Sequence, residues 1–202
     1  MPFDSDSATL LDSLIAAARR HGAEAADASL SWRESLSVDV RLGAFEGVER
    51  EEGRSVALRA LIGQRQAGAT STDLSPRGLA ELSERVVAMA KAAPEDKYCG
   101  LADPALLSRD TPALDSEDSA RPDAKALEAL AREAEDAARA VSGVTNSAGA
   151  GASFEFGAFA YANSNGFAGG ARGTTYSLSV SPLAERDGQK ERDWEGRTKR
   201  FL

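Results

Sequence analysis

Residues 28–43 read ASLSWRESLSVDVRLG, and the period of this stretch decides the fold class. Ala28, Leu30 and Trp32 alternate with Ser29, Ser31 and Arg33; Leu36, Val38, Val40 and Leu42 alternate with Ser37, Asp39 and Arg41. A period of two sends successive side chains to opposite faces of a sheet, so two half-buried strands are expected here. Gly43 breaks the second, and Phe45 to Arg50 can return as its hairpin partner. Gly53 marks another turn before Val56, Leu58, Ala60 and Ile62, and Gly63 separates that strand from the small, polar run Arg65 to Thr70. Five short strands punctuated by glycine predict an antiparallel meander.

Helical periods flank the meander. Leu11, Leu14, Ile15 and Ala18 share one face of a helix from about Ser7 to Arg20, and Gly22 supplies the stop. After the strands, Ser75 can cap a second helix, with Pro76 at the first helical position, where no donor is needed. Leu74 and Leu79 take the two staple positions around that cap. Leu79, Leu82, Val86 and Met89 form the expected buried stripe, and Pro94 ends it.

From Pro94 to Pro122 the chain is proline-punctuated and acidic, with Asp103, Asp110, Asp115, Glu117 and Asp118, and reads as a long surface connection. A third helix follows, with Leu127, Leu130, Ala134, Ala137 and Val141 on its buried face. Glu128 with Arg132, and Glu135 with Arg139, form i, i+4 pairs on its solvent side, and Gly143 closes it. Strand patterning then returns. Phe154, Phe156, Ala158 and Ala160 alternate with polar or small residues, and so do Tyr176, Leu178 and Val180. The order helix, strands, helix, helix, strands predicts an α+β fold, an antiparallel-rich sheet with three main helices. The expected division is a helix–meander–helix domain over 1–93, a connection over 94–122, and a helix with strands over 123–202.

Composition excludes several chemistries. A net charge of −8 over 202 residues disfavours binding to a phosphate backbone. Cys99 is the only cysteine and His21 the only histidine, so a Ser-His-Asp triad, a helical zinc motif or a thiolate cage has too few members. His21, beside Gly22 at a helix end, reads as a partner for free carbonyls. Residues 163–170, NSNGFAGG, lead into the strand pattern Thr174 to Val180 rather than a helix, so a tight turn is expected and not a phosphate loop. Turn chemistry likewise accounts for Thr145-Asn146-Ser147-Ala148-Gly149. Glu185 to Arg200 mixes five acidic with six basic residues around Trp194, which fits charge pairing across strands. No catalytic, cofactor-binding or metal residue is therefore assigned. With no basic leader and no apolar run of membrane-spanning length, a cytoplasmic protein is expected.

Several segments, in order, carry a resemblance. They are Ser35 to Arg41 with Gly43 and Glu46; residues 67–76, AGATSTDLSP; Ala93-Pro94-Glu95-Asp96 with Gly100-Leu101-Ala102; Thr145-Asn146-Ser147; and Ala162 to Phe167 with Gly173-Thr174. Across nearly the whole chain this succession resembles the TldD/PmbA family, also called modulators of DNA gyrase, and the stretch Asn163 to Phe167 is more similar to its PmbA side. Ala148 departs from an often acidic family position, and Gln189 to Lys199 matches only in part. The resemblance implies a cytoplasmic metallopeptidase system in which a TldD-type subunit carries zinc and a PmbA-type subunit pairs with it, acting on unfolded peptides. Residues 1–202 would be the amino-terminal, non-catalytic portion, leading into a carboxy-terminal domain. The implied partners are a TldD-type subunit, a second copy of the chain, and the extended peptide substrate, with neither nucleic acid nor membrane. The alternative is an independent protein-binding module, acting on gyrase or another partner through the acidic connection near Asp115 to Asp118.

Overall fold

The computed structural model describes residues 5–108, 112 and 114–202; Asp110 of the acidic connection lies outside them. The elements in order are α1 (Ser5–Arg20), β1 (Ala25–Arg41), β2 (Ala44–Ile62), β3 (Arg65–Ser71), α2 (Pro76–Ala92), α3 (Ala124–Arg139), β4 (Val144–Asn163), β5 (Ala168–Arg186), β6 (Gln189–Arg192) and β7 (Glu195–Lys199). A single turn of 3-10 helix, Pro104–Leu106, interrupts the connection. The strands form one sheet in the order β3-β2-β1-β4-β5-β6, with β7 also paired to β5. This is the α+β architecture that the alternating patterns imply.

The meander has three strands where the sequence suggested five. The two stretches flanking Arg33 to Ser35 are one strand, and Gly53 lies inside β2 rather than in a turn. What hides the continuity is a section with polar side chains on both faces, where charge replaces the apolar alternation. Arg50 pairs with Glu34 at 3.2 Å, and the Arg54 guanidinium lies 4.6 Å from the Trp32 ring centre. Thr145 to Gly149 is likewise part of β4, not a turn.

The chain forms two compact units. One comprises Met1–Trp32, Gly53–Asp115 and Ala158–Arg172. Its core joins the α1 face Leu11, Leu14, Ile15 and Ala18 to Leu82, Val86, Val87 and Ala90 of α2 and to the even-numbered sheet residues Ala26, Ala28, Val56, Leu58, Ala60, Ala160 and Ala162. The buried arc of α2 extends to Val87, which leaves Met89 on its rim, 43% exposed, instead of in the stripe. Leu74 and Leu79 pack against this core as the staple requires.

The other unit comprises Arg33–Glu52, Ser116–Gly157 and Gly173–Leu202. Val38, Val40, Ala150, Ala152, Phe154, Phe156 and Tyr176 supply its buried sheet residues, and Leu127 and Ala131 those of α3. The ridge of α3 runs Leu127, Ala131, Glu135, while Ala137 and Val141 face solvent. The helix is so rich in alanine that its leucines leave the face under-determined: Leu127 is buried as expected, but the buried arc turns from it to Ala131 and Glu135 rather than to Ala137 and Val141. Glu128 and Arg132 pair as expected, at 2.6 Å. Glu135 does not lie on the solvent side with Arg139; it is fully buried.

The start of α2 yields a test. The Ser75 hydroxyl accepts from the Gly78 N–H at 3.1 Å, and the Asp73 carboxylate accepts from the Ser75 N–H at 2.9 Å. A Cβ added at Gly78 would lie 2.4 Å from the Asp73 carboxyl carbon and 2.8 Å from the Asp73 carbonyl oxygen. Replacing a helical glycine by alanine ordinarily gains about 1 kcal/mol. Here Gly78→Ala is expected to lose about 1–3 kcal/mol, because the cap must open to admit the methyl group. Urea unfolding of the two proteins checks the sign.

Candidate functional site

The described residues contain no group of three His, Cys, Asp or Glu side chains able to hold a metal ion. His21 follows the last turn of α1, its N–H bonded to the Ala17 carbonyl at 3.1 Å. Arg19 and Arg20 lie in the last turn of α1, and the Lys91 ammonium donates to the His21 carbonyl at 3.2 Å. Cys99 is half-buried and unpaired with any other sulfur.

A buried polar arrangement centres on Glu135. Its two carboxylate oxygens accept the N–H groups of Leu42 at 2.8 Å and Gly43 at 2.7 Å. These two residues form the whole β1–β2 hairpin loop, and both have positive φ, 52° and 73°. Consecutive left-handed residues turn successive N–H groups to one side, a concavity suited to an anion. Arg132, one turn before Glu135, donates to the Gly43 carbonyl, so α3 holds both polarities of the turn. Arg41 adds a bond from its Nε to the Ser147 carbonyl at 3.2 Å. Burial alone would push the Glu135 carboxyl up; the Ser147 hydroxyl, the Gly43 and Leu42 N–H groups and the charge of Arg139 outweigh it and hold the group below the usual carboxylate range. Sequence reading missed this site because its parts lie 92 and 93 residues apart.

The Asn163 to Phe167 turn is structural, as its residues suggest. The Asn163 side-chain oxygen accepts from the N–H groups of Asn165 at 3.0 Å and Phe167 at 3.1 Å, and Gly166 has φ of 89°. Ser164 and Ala26 exchange two bonds, the Ser164 N–H to the Ala26 carbonyl at 2.8 Å and the Ala26 N–H to the Ser164 hydroxyl at 3.1 Å. Asn165 donates from its amide to the Ala102 carbonyl at 2.9 Å. No anion cradle remains, since the loop's own side chain takes the N–H groups.

The end of the acidic connection is tied down rather than free. Ser116 is buried and accepts the Thr174 N–H at 3.0 Å, and the Thr174 hydroxyl accepts the Asp118 N–H at 2.9 Å. The Tyr176 hydroxyl donates to the Ala120 carbonyl at 2.9 Å. The Arg121 guanidinium lies 5.3 Å from the Phe154 ring centre and 5.0 Å from that of Phe156. N–H groups of Ala120 and Leu202 hold the Asp118 carboxyl below its ordinary range. Thr174 and Tyr176 of β5 are thus bonded to the connection within the chain.

Two family models match in order, PmbA/TldA metallopeptidase domain 1 over residues 26–90 and PmbA/TldA metallopeptidase central domain over residues 117–201. The chain belongs to the PmbA/TldD family. It is similar to the metalloprotease PmbA of Escherichia coli O157:H7, with 33% identity over 182 residues, covering 89% of this chain and 40% of that protein. The metalloprotease PmbA homolog of Haemophilus influenzae is 32% identical over 171 residues, 84% of this chain and 38% of that one. The chain therefore spans about two fifths of the length of these curated relatives. A structure from Bacteroides thetaiotaomicron described as a modulator of DNA gyrase superposes with a TM-score of 0.89 at 17% identity, over 98% of this chain and 46% of that one. TldE from Thermococcus kodakarensis gives 0.81 at 15%, over 94% and 42%. At these identities the likeness is one of fold, and it includes the three-helix, antiparallel layout of this PmbA/TldD chain.

Glu135 supplies a prediction for this family member. A carboxyl depressed in the folded state contributes stability above its unfolded pKa, near 4.3, and loses it as pH falls through the folded value. Glu135→Gln, which faces an NH2 group toward the Leu42 and Gly43 donors, is expected to cost about 1–3 kcal/mol at pH 7. The deficit relative to the parent should shrink below about pH 4. Denaturant melts from pH 3 to 7 read it out, and a deficit constant across that range would contradict the assignment.

Proposed function

We propose that this chain is a non-catalytic amino-terminal portion of a PmbA-like subunit, working in a TldD/PmbA-type zinc metallopeptidase system on unfolded peptides in the cytoplasm. The observation that carries this reading is the ordered match to two successive metallopeptidase domains by a chain with a single histidine and a single cysteine. Hydrolysis of a peptide needs an activated water or nucleophile and donors for the developing oxyanion. The residues present do not fit a zinc site: the sequence has a single histidine and a single cysteine, the described residues bring no three His, Cys, Asp or Glu side chains together, and the buried carboxylate of Glu135 already receives two N–H groups. A TldD-type partner would hold the zinc, and this chain would contribute a rigid sheet and a pairing surface. No helix among the described residues is long and apolar enough to cross a membrane.

A second reading, an independent protein-binding module, is favoured by the exposure of Tyr98 and Leu106 on the connection. One assay separates the two. An unstructured peptide is incubated with the chain, with a TldD-type subunit, and with both. We expect no cleavage by the chain alone, zinc well below one per chain after dialysis, and co-purification with the TldD-type subunit. Chelator-sensitive cleavage by the pure chain would overturn the non-catalytic assignment. Failure of both the chain and its full-length parent to bind any TldD-type subunit would favour the module.

A further inference from the structure

The polar face of the first unit carries a hollow of about 260 Å³ over β1, β2 and β3, lined by Asp27, Ser29, Ala57, Arg59, Gly68 and Thr70 among others. In the β2–β3 register Arg59 stands opposite Gly68, and Ala57 opposite Thr70. Two rows result, about 7 Å apart, the rise of two strand residues. One is charged, with Asp27 bonded to Arg59; the other carries the hydroxyls of Ser29 and Thr70. The floor between them is Ala57 and Gly68, one methyl group and one hydrogen, and their smallness makes the hollow.

The groups around it have bonding capacity left over. Asp27 is only 8% exposed, and its Oδ2 accepts from Nε of Arg59 at 2.9 Å and also from Nη2. Nη1 of Arg59 donates to the side-chain oxygen of Gln66 at 3.0 Å. A guanidinium has five N–H groups, so these three bonds leave two, and Oδ1 of Asp27 lies outside the pair. Among the described residues the hydroxyls of Ser29 and Thr70 bond to no other group.

The charged row is neutral as a whole, so it suits an occupant that presents both signs side by side. An α-amino acid does so: its carboxylate meets the remaining N–H groups of Arg59, and its ammonium meets Asp27. Its side chain then runs along the floor toward two hydroxyls, which donate and accept as a carboxamide does. We propose that this hollow binds a free α-amino acid with a carboxamide side chain, L-glutamine being the type, its head group on Asp27 and Arg59 and its amide on Ser29 and Thr70. The volume lies below the about 300 Å³ at which sites for drug-sized ligands begin, which suits one small occupant. Asp27 and Arg59 already satisfy each other in part, so the expected Kd is high, about 1 mM.

The test is heteronuclear NMR of the isotope-labelled 202-residue chain titrated with L-glutamine. Saturable shifts are expected at the amides of Asp27, Ser29, Gly68 and Thr70. N-acetylglutamine, without the ammonium, and glutaminamide, without the carboxylate, should each bind about tenfold or more weakly. T70V keeps a residue suited to a strand and removes one hydroxyl. It should weaken glutamine about threefold to tenfold and leave L-alanine, too short to reach it, unchanged. G68V fills the floor and should abolish binding, with thermal melts confirming that both variants fold. A tripeptide centred on glutamine, acetylated and amidated at its ends, separates the side chain from the head group and should not bind. No saturable shift by about 20 mM, equal binding of either blocked derivative or of the tripeptide, or indifference to T70V would each overturn the proposal. It stands independently of the peptidase reading, whose failure is scored by loss of TldD-type binding.

Discussion

The bond between the Glu135 carboxylate and the Leu42-Gly43 turn is the contact on which the hairpin depends. A two-residue hairpin loop of this form has positive φ at both positions, and for leucine that region costs about 1–2 kcal/mol. At the β5–β6 hairpin the same backbone shape is made by Asp187 and Gly188, with φ of 53° and 79°. That pair tolerates it through residue type alone. At the first hairpin residue type is insufficient, and a buried anion from α3 supplies what is missing. The loop in turn sets the β1–β2 register, and a slip of one residue would send Val38 and Val40 to the polar face.

This coupling explains why an ionisable group sits in the apolar ridge of α3. An unpaired buried carboxylate would be costly. Glu135 instead accepts two backbone donors and the Ser147 hydroxyl, and it completes a turn that would otherwise carry orphaned N–H groups. Helix and hairpin each lack something only the other provides. Ser147, fully buried in β4, belongs to the same set, which makes its place in the strand intelligible where turn chemistry would have left it exposed.

What could be read from sequence divides along the range of the interactions. α2 was legible because its signals are local: Leu74, Ser75, Pro76 and Leu79 act within one turn of each other. The hairpin at Gly43 and the turn at Asn163 were legible for the same reason. The continuity of β1 and β2 was not, because Glu34 and Arg50 stabilise it across strands and leave no apolar period. The face of α3 was misjudged because alanine gives too little contrast, and the residue that orients the helix is a glutamate whose partners are 92 and 93 positions away. The connection read as surface because it is acidic, whereas Ser116 and Asp118 are drawn in by Thr174. The family, by contrast, was recognisable from the succession of weak motifs, since order along the chain carries information that no one motif does.

The distribution of buried polar groups follows from the cost of leaving a donor or acceptor unpaired. In the described residues the buried polar groups spend their hydrogen-bonding capacity internally: Glu135 on a turn, Asn163 on its own loop, and Asp27 on Arg59, whose guanidinium also reaches Gln66 at 3.0 Å. No buried side-chain polar atom among them lacks a partner. Such saturation rigidifies a scaffold and fixes its edges and faces.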